Sequence, residues 1–310
     1  MPAPPLLPQY ILNQLVTSPA DPRPVLLTIA GPTAVGKTAL CVQLAQQLGT
    51  EIVSADSRQF FRELSIGTAK PTPEEMQGIP HHFIDSHSIQ EDYSAGRYAA
   101  DALALLDELF KKHPVVILTG GSGLYLQAVT DGLDELPSVP PTVRAQILEE
   151  LATNGLPALV AELAATDPVT HARIDRQNHQ RVVRALEITR GTGRPFSSYH
   201  KQGFAEADKR PFRVVKVALT REREELYQRI NLRVEQMLAA GLLDEVRSVL
   251  PYRHHHALQT VGYQEIFGYL DGEYDWAEAV RLLQRNTRHY AKRQLTWLRR
   301  DAEYEWVNLG

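Results

Sequence analysis

An α/β fold, a parallel sheet flanked by helices with an all-helical subdomain inserted, is what three features of the sequence predict. A strand-like run at residues 25–30 passes through a glycine-rich loop into an amphipathic helix. Strand-like and helix-like segments then alternate as far as residue 130, and residues 142–191 read as successive short helices with no strand candidate. The chain has 310 residues, enough for one large domain or two ordinary ones. Three parts are expected: a tail over 1–23, a core over 24–135 and 210–310, and a helical insertion over 136–209.

The elements follow in order. The proline-rich opening reads as a mobile tail holding a short docking helix at 10–16. Residues 25–30 are β-branched and apolar, as in a buried strand, and 39–48 continue as a helix. A second short strand is expected at 51–54, a long helix at 94–112 and a third buried strand at 115–119. The third strand runs into Gly120-Gly121-Ser122-Gly123 and another helix. A proline-rich break at 136–141 opens the insertion. Residues 212–219 return as a strand that rejoins the sheet, helices fill 223–300, and Trp306 lies near a short extended segment.

Between the first strand and its helix, Gly31-Pro32-Thr33-Ala34-Val35-Gly36-Lys37-Thr38 matches the P-loop pattern, so the sheet is P-loop NTPase-like. Glycines let the backbone approach a diphosphate or triphosphate, and the N–H groups at the helix start form an anion nest. Lys37 would neutralise phosphate charge, and Thr38 would offer its hydroxyl to Mg²⁺. Asp56 follows the second strand at the carboxyl edge, where open α/β sheets place their chemistry. It reads either as a turn residue or as a carboxylate able to accept a proton or hold Mg²⁺. Arg223 opens the helix after the late strand and reads as a leaving-phosphate clamp or as a surface arginine. Arg181 and Arg184 share a helix face and could reach a phosphate backbone or pair with Glu187.

Composition narrows the classes. The single cysteine, Cys41, excludes an internal disulfide and a cysteine zinc site. No apolar run reaches membrane-spanning length and no signal-peptide pattern opens the chain, so a cytoplasmic enzyme with no membrane partner is expected. The formal net charge of −4 does not suggest a nucleic-acid binder, yet residues 281–300 carry seven Lys or Arg and no acid. Arg281, Arg285, Arg288, Lys292 and Arg299 fall in one helical wedge, which points to a polyanion. His254-His255-His256 reads as a surface loop, because adjacent histidines diverge. There is no arginine-dense lid and no strand ending in a Walker-type aspartate. Motif logic alone therefore leaves a P-loop transferase with a polyanionic second substrate.

Taken together, the segments 31–38, Ser-Ala-Asp-Ser-Arg-Gln at 54–59, Ile-Gly-Thr-Ala-Lys-Pro at 66–71, Gly-Gly-Ser-Gly-Leu-Tyr at 120–125, Val-Gly-Tyr-Gln at 261–264 and Lys-Arg-Gln-Leu-Thr-Trp-Leu-Arg at 292–299 resemble the tRNA dimethylallyltransferase (isopentenyltransferase) family, bacterial type. The likeness runs from about residue 26 to 306. It implies that Gly31, Pro32, Thr33, Ala34, Val35, Gly36, Lys37 and Thr38 grip the diphosphate of dimethylallyl diphosphate rather than ATP. It further implies that Asp56 is the catalytic carboxylate on the adenine N6 amine, that Arg223 contacts the diphosphate, and that Mg²⁺ sits at Thr38.

The resemblance also implies tRNA contacts. These are Asp56, Ser57, Arg58, Gln59, Ser122, Arg144, Gln180, Arg181, Val182, Val183, Arg184, Gln259, Thr260, Val261, Gly262, Tyr263 and Gln264, followed by Lys292, Arg293, Gln294, Leu295, Thr296, Trp297, Leu298 and Arg299. The implied partner is a tRNA anticodon stem-loop whose modified adenosine lies immediately 3′ of the anticodon, in tRNAs reading codons that begin with U. A monomer with no obligate protein partner is expected. Ser122 stands where many relatives carry threonine and keeps the hydroxyl, and no zinc-finger extension follows Trp306, which fits the bacterial or organellar form. The competing readings are prenylation of free AMP, ADP or ATP, a P-loop small-molecule kinase, and an RNA-binding module with a vestigial P-loop.

Overall fold

The structure, a computed structural model, describes residues 6–134, 136–199 and 210–310. Residues 1–5 of the expected tail, and Glu135 and 200–209 beside or within the expected insertion, lie outside the described residues. The chain runs α1 (Gln9–Gln14), β1 (Val25–Ala30), α2 (Lys37–Leu48), β2 (Ile52–Ser54), α3 (Pro73–Met76), β3 (His81–His82), α4 (Ala95–Leu109), β4 (Val115–Gly120) and α5 (Gly123–Thr130). Four helices follow: α6 (Pro141–Asn154), α7 (Leu156–Thr166), α8 (Pro168–Arg173) and α9 (His179–Thr192). The last part holds β5 (Arg213–Thr220), α10 (Arg223–Ala239), α11 (Leu242–Ser248), α12 (Tyr263–Leu270), α13 (Trp276–Leu298) and β6 (Glu305–Asn308).

Six strands make one parallel sheet in the order β3-β2-β4-β1-β5-β6. Ala30 at the end of β1 lies level with Gly120 of β4 on one side and Ala218 of β5 on the other. The carboxyl ends of β1 and β4 therefore finish together, β5 runs two residues further to Thr220, and the P-loop emerges from the end of β1. All six residues of β1 are buried, as a strand covered on both faces requires. Against it α2 buries Leu40, Cys41, Leu44 and Ala45, together with Ile117 of β4 and Val217 and Leu219 of β5. Each such aliphatic side chain stabilises the fold by about 1.5–3 kcal/mol. The polar break in β5, Lys216, is buried and held by Asp131, Asp301 and Glu303, each at 2.8 Å.

One sequence expectation needs correction and one strand was not foreseen. Residues 6–15 are packed rather than part of a mobile tail: Leu7, Ile11 and Leu15 are buried in the main core, while residues 16–20 are exposed. Ile11 lies within α1 and Leu7 and Leu15 flank it, and the Arg213 guanidinium donates to the Gln14 and Val16 carbonyls at 3.1 Å. One edge strand, β3, also escaped the reading, because its two residues are too short to show a period, whereas the extended segment expected near Trp306 is present as β6, paired with β5.

The chain divides into two compact units, Met1–Asp131 with Arg210–Gly310, and Gly132–Lys209. The second is helical and has its own core, in which Ile147 of α6, Leu159 and Leu163 of α7, and Val182, Val183 and Leu186 of α9 are buried. Arg190 ties α9 to α6 and α7 through Glu150 and Glu162. Among the described residues no helix is long and apolar enough to cross a membrane.

Candidate active site at the P-loop edge of the sheet

A cleft of about 620 Å³ opens in the first unit where β1, β2 and β4 end. One wall is the P-loop. Gly36 caps α2 at φ 113°, a left-handed backbone that a glycine adopts without strain. A Cβ at Gly31 would meet the Leu219 carbonyl and a Val35 methyl, both at 3.1 Å, so the loop is close-packed on β5. Lys37 folds back and donates to the Gly31 and Pro32 carbonyls at 2.9 Å, which leaves its ammonium over the loop. Burial lowers its pKa to about 8, opposed by the Asp56 carboxylate and reinforced by Arg233. A bound diphosphate restores the charged form. The Lys37 contribution to inorganic diphosphate affinity is therefore fully present below pH 7 and is lost as pH rises through 8, and at pH 8.5 Lys37 takes up a proton on binding. Calorimetry in buffers of different ionisation enthalpy checks this, and Lys37→Ala abolishes the uptake.

Asp56 lies two residues beyond β2, on the cleft wall facing the P-loop. Its Oδ1 accepts the backbone N–H groups of Arg58 at 3.0 Å and Gln59 at 3.4 Å, a local turn that fixes the carboxylate. Both expected roles are thus compatible, turn residue and half-buried base on the cleft wall. Ser122 Oγ accepts the Ser57 N–H and donates to the Ser57 hydroxyl, both at 3.0 Å. The Tyr290 phenol bonds to Ser122, and burial with the Asp56 charge pushes its pKa up to about 12. It is therefore a neutral hydroxyl at any working pH. Gln59 donates to the Thr68 and Ala69 carbonyls at 3.1 Å, joining the Asp56 turn to the 65–70 loop.

The cationic side of the cleft is not where the sequence reading put it. Arg223 is exposed at the first position of α10, stacks on Tyr227 and does not line the cleft. The arginines that do line it are Arg58 beside Asp56, Arg229, which donates to the Ala34 carbonyl at 2.8 Å, and Arg233, whose pKa burial lowers. Ten residues of helix, about 15 Å of rise, separate Arg223 from Arg233. A signal was present, because Arg229 and Arg233 are four apart beside the buried stripe Leu226, Ile230 and Val234. Tyr290 was missed because its ring reads as core. Beyond the cationic side the cleft turns apolar, with Ile66, Ala69, Val234, Met237, Val261 and Leu283.

The segment 292–299 divides by depth. Lys292, Arg293, Thr296 and Arg299 are exposed, Leu295 and Trp297 are half-buried, and Leu298 is core. Gln294, expected on tRNA, is buried: its Oε1 accepts the Thr33 N–H and its Nε2 donates to the Gly121 carbonyl, both at 2.9 Å. Gln294→Ala leaves both backbone groups unpaired, at about 1–3 kcal/mol each, which a denaturant melt would register. Of the basic wedge, Arg281 pairs with Glu278, and Arg288 turns towards α10, donating to Asn231 at 2.7 Å. The outward cations are Lys292, Arg293, Arg299 and Arg300. In 259–264, Gln259 and Gln264 are exposed, Thr260, Val261 and Gly262 line the cleft, and Tyr263 is fully buried.

In the helical unit, Gln180 and Arg181 are exposed, whereas the Val182 and Val183 side chains are core and offer nothing to a ligand. Arg144 and Arg184 both pair with the buried Glu187, at 3.0 and 3.1 Å, so pairing and exposure coexist. The three histidines at 254–256 are exposed, and no cluster of metal-binding side chains occurs among the described residues. Beside the P-loop, Thr38 and Asp56 are a sparse oxygen donor set. That suits Mg²⁺ carried in on phosphate oxygens rather than a protein-caged ion.

A family model described as IPP transferase matches residues 59–301, most of the chain. The chain belongs to the IPP transferase family. It is 52% identical to a tRNA dimethylallyltransferase of Cytophaga hutchinsonii over 92% of this chain and 93% of that one. A tRNA dimethylallyltransferase 2 of Porphyromonas gingivalis is 51% identical over 91% and 93%. Among solved structures, a tRNA isopentenylpyrophosphate transferase of Bacillus halodurans superposes with TM-score 0.68 at 39% identity, covering 92% and 90% of the two chains. A eukaryotic dimethylallyltransferase acting on tRNA shares the fold, with TM-score 0.74 at 24% identity over 92% and 74%.

Proposed function

We propose that the protein transfers a dimethylallyl group from dimethylallyl diphosphate to N6 of the adenosine immediately 3′ of the anticodon, in tRNAs reading codons that begin with U. The observation that carries this reading is one cleft holding a P-loop with Lys37 and Arg233, a facing Asp56 carboxylate, and an apolar wall. That apolar wall beside the P-loop suits a five-carbon tail.

The chemistry follows from the layout. The adenine N6 lone pair is delocalised into the ring, so N6 is a weak nucleophile. An allylic C1 offsets this by giving up its C1–O bond with carbocation character when the departing charge is stabilised. P-loop amides, Lys37, Arg229 and Arg233 supply fixed positive potential where the diphosphate gathers charge. N6 forms the new bond to C1, the C1–O electron pair leaves with diphosphate, and the N6 proton passes to Asp56. Mg²⁺, held by Thr38 and the diphosphate oxygens, would neutralise further phosphate charge. The adenine must leave its stack, at a cost of a few kcal/mol drawn from RNA binding.

Lys292 and Arg293 on α13, Arg299 and Arg300 just past its end, and Arg144, Arg181 and Arg184 in the helical unit supply cations for the RNA backbone. Lys292→Glu with Arg299→Glu weakens tRNA binding and flattens its salt dependence, by about 0.7–0.9 in the log–log slope for each phosphate no longer neutralised. Filter binding from low to moderate salt checks that. The reading as a whole is tested with purified protein, dimethylallyl diphosphate, Mg²⁺ and unmodified tRNA. Nuclease digestion and mass spectrometry should find N6-isopentenyladenosine, and its absence with folded protein would refute the assignment.

A further inference from the structure

The loop Ser65–Lys70 forms one side of the cleft, yet its shape is imposed from outside it. The backbone N–H groups of Ser65 and Ile66 donate to Oε2 of Glu245 at 3.0 and 2.7 Å, and the Gly67 N–H donates to Oε1 at 2.9 Å. The Tyr263 hydroxyl also donates to Oε1, at 2.6 Å. Three consecutive peptide N–H groups converging on an anion is a nest of the kind that usually holds phosphate. Here the anion is internal and comes from α11. Tyr263 is fully buried, and a Cβ on Gly67 would come within 2.7 Å of its ring, so the loop rests directly on that side chain.

At its far end the same loop is pinned to the Asp56 turn by the Gln59 amide, and by Lys70, which donates to the Phe61 carbonyl at 2.8 Å. The wall that carries Ile66 and Ala69 is therefore fixed at one end to the acceptor carboxylate and at the other to Glu245. Glu245 does not itself line the cleft. We propose that Glu245, seconded by Tyr263, is a positioning residue of the transfer site: its carboxylate sets the apolar wall that packs the prenyl tail. This rests on the donor reading given above.

A carboxylate is required because each oxygen accepts two donors. In Glu245→Gln one oxygen becomes an NH₂ facing N–H groups, so part of the nest loses its acceptor and the loop must shift. The P-loop lies on another wall and keeps its geometry. The variant should therefore lose affinity for the tail while keeping affinity for the diphosphate.

The test is calorimetric titration of wild type, Glu245→Gln and Tyr263→Phe with dimethylallyl diphosphate and, separately, with inorganic diphosphate. Wild type should bind the prenyl compound more tightly. Glu245→Gln should lose about tenfold of that preference, with inorganic diphosphate affinity within twofold. Tyr263→Phe, which removes one bond of four, should lose about threefold and serves if the first variant does not fold. Preference retained within twofold in a folded variant, or equal loss for both ligands, overturns the proposal. No preference in wild type would instead refute the donor reading of the cleft.

Discussion

Asp56→Asn is expected to lower kcat for prenyl transfer by about 10²–10⁴ while tRNA affinity changes by only a few-fold. Asparagine separates two duties that alanine would confound. Both turn hydrogen bonds fall on Oδ1, so an amide oxygen in the same place can still hold the Arg58 and Gln59 N–H groups. What is lost is the base that takes the N6 proton. The Asp56 charge also raises the Lys37 pKa, so its removal weakens donor binding in alkaline buffer. Single-turnover rates at saturating donor and pH 7 avoid that complication. An unchanged rate would remove Asp56 from the chemistry and leave it a turn residue.

The second large effect contrasts two arginines on one helix. Arg233→Ala should cost about 10²–10³ in kcat/KM for the donor, the scale for losing one group aimed at developing charge. Arg223→Ala should change it by less than about threefold, in keeping with a surface residue stacked on Tyr227. Arg233→Lys recovers part of the loss, because an ammonium supplies charge without the guanidinium's planar fork. Steady-state kinetics on the three variants decides the assignment. The reverse ranking would mean that α10 rearranges when substrate binds.

The sheet was legible because its central strands are long, apolar and β-branched, and because the P-loop fixes what precedes and follows it. The candidate site was legible where function depends on backbone geometry, as at Gly31 to Thr38 and in the turn at Asp56. It was less legible where function depends on which face of a long helix looks inward. Arg223 stood out by its position just after a strand, whereas Arg233 lies deep in α10, where a lone arginine resembles any surface cation. The segments at 259–264 and 292–299 show the same limit: Tyr263 and Gln294 hold loops together from beneath, and their neighbours Gln264 and Lys292 face outward. The tail was misjudged for its prolines, although Leu7, Ile11 and Leu15 already recur at a spacing of four.

The central claim is that the basic pocket holds a group that departs. A donor labelled with carbon-14 in the dimethylallyl group and phosphorus-32 in the diphosphate tests it in one reaction with unmodified tRNA. The account predicts that carbon-14 enters the RNA while phosphorus-32 is released quantitatively as inorganic diphosphate. Phosphorus-32 in the RNA, or diphosphate release with no carbon-14 incorporated, would contradict it.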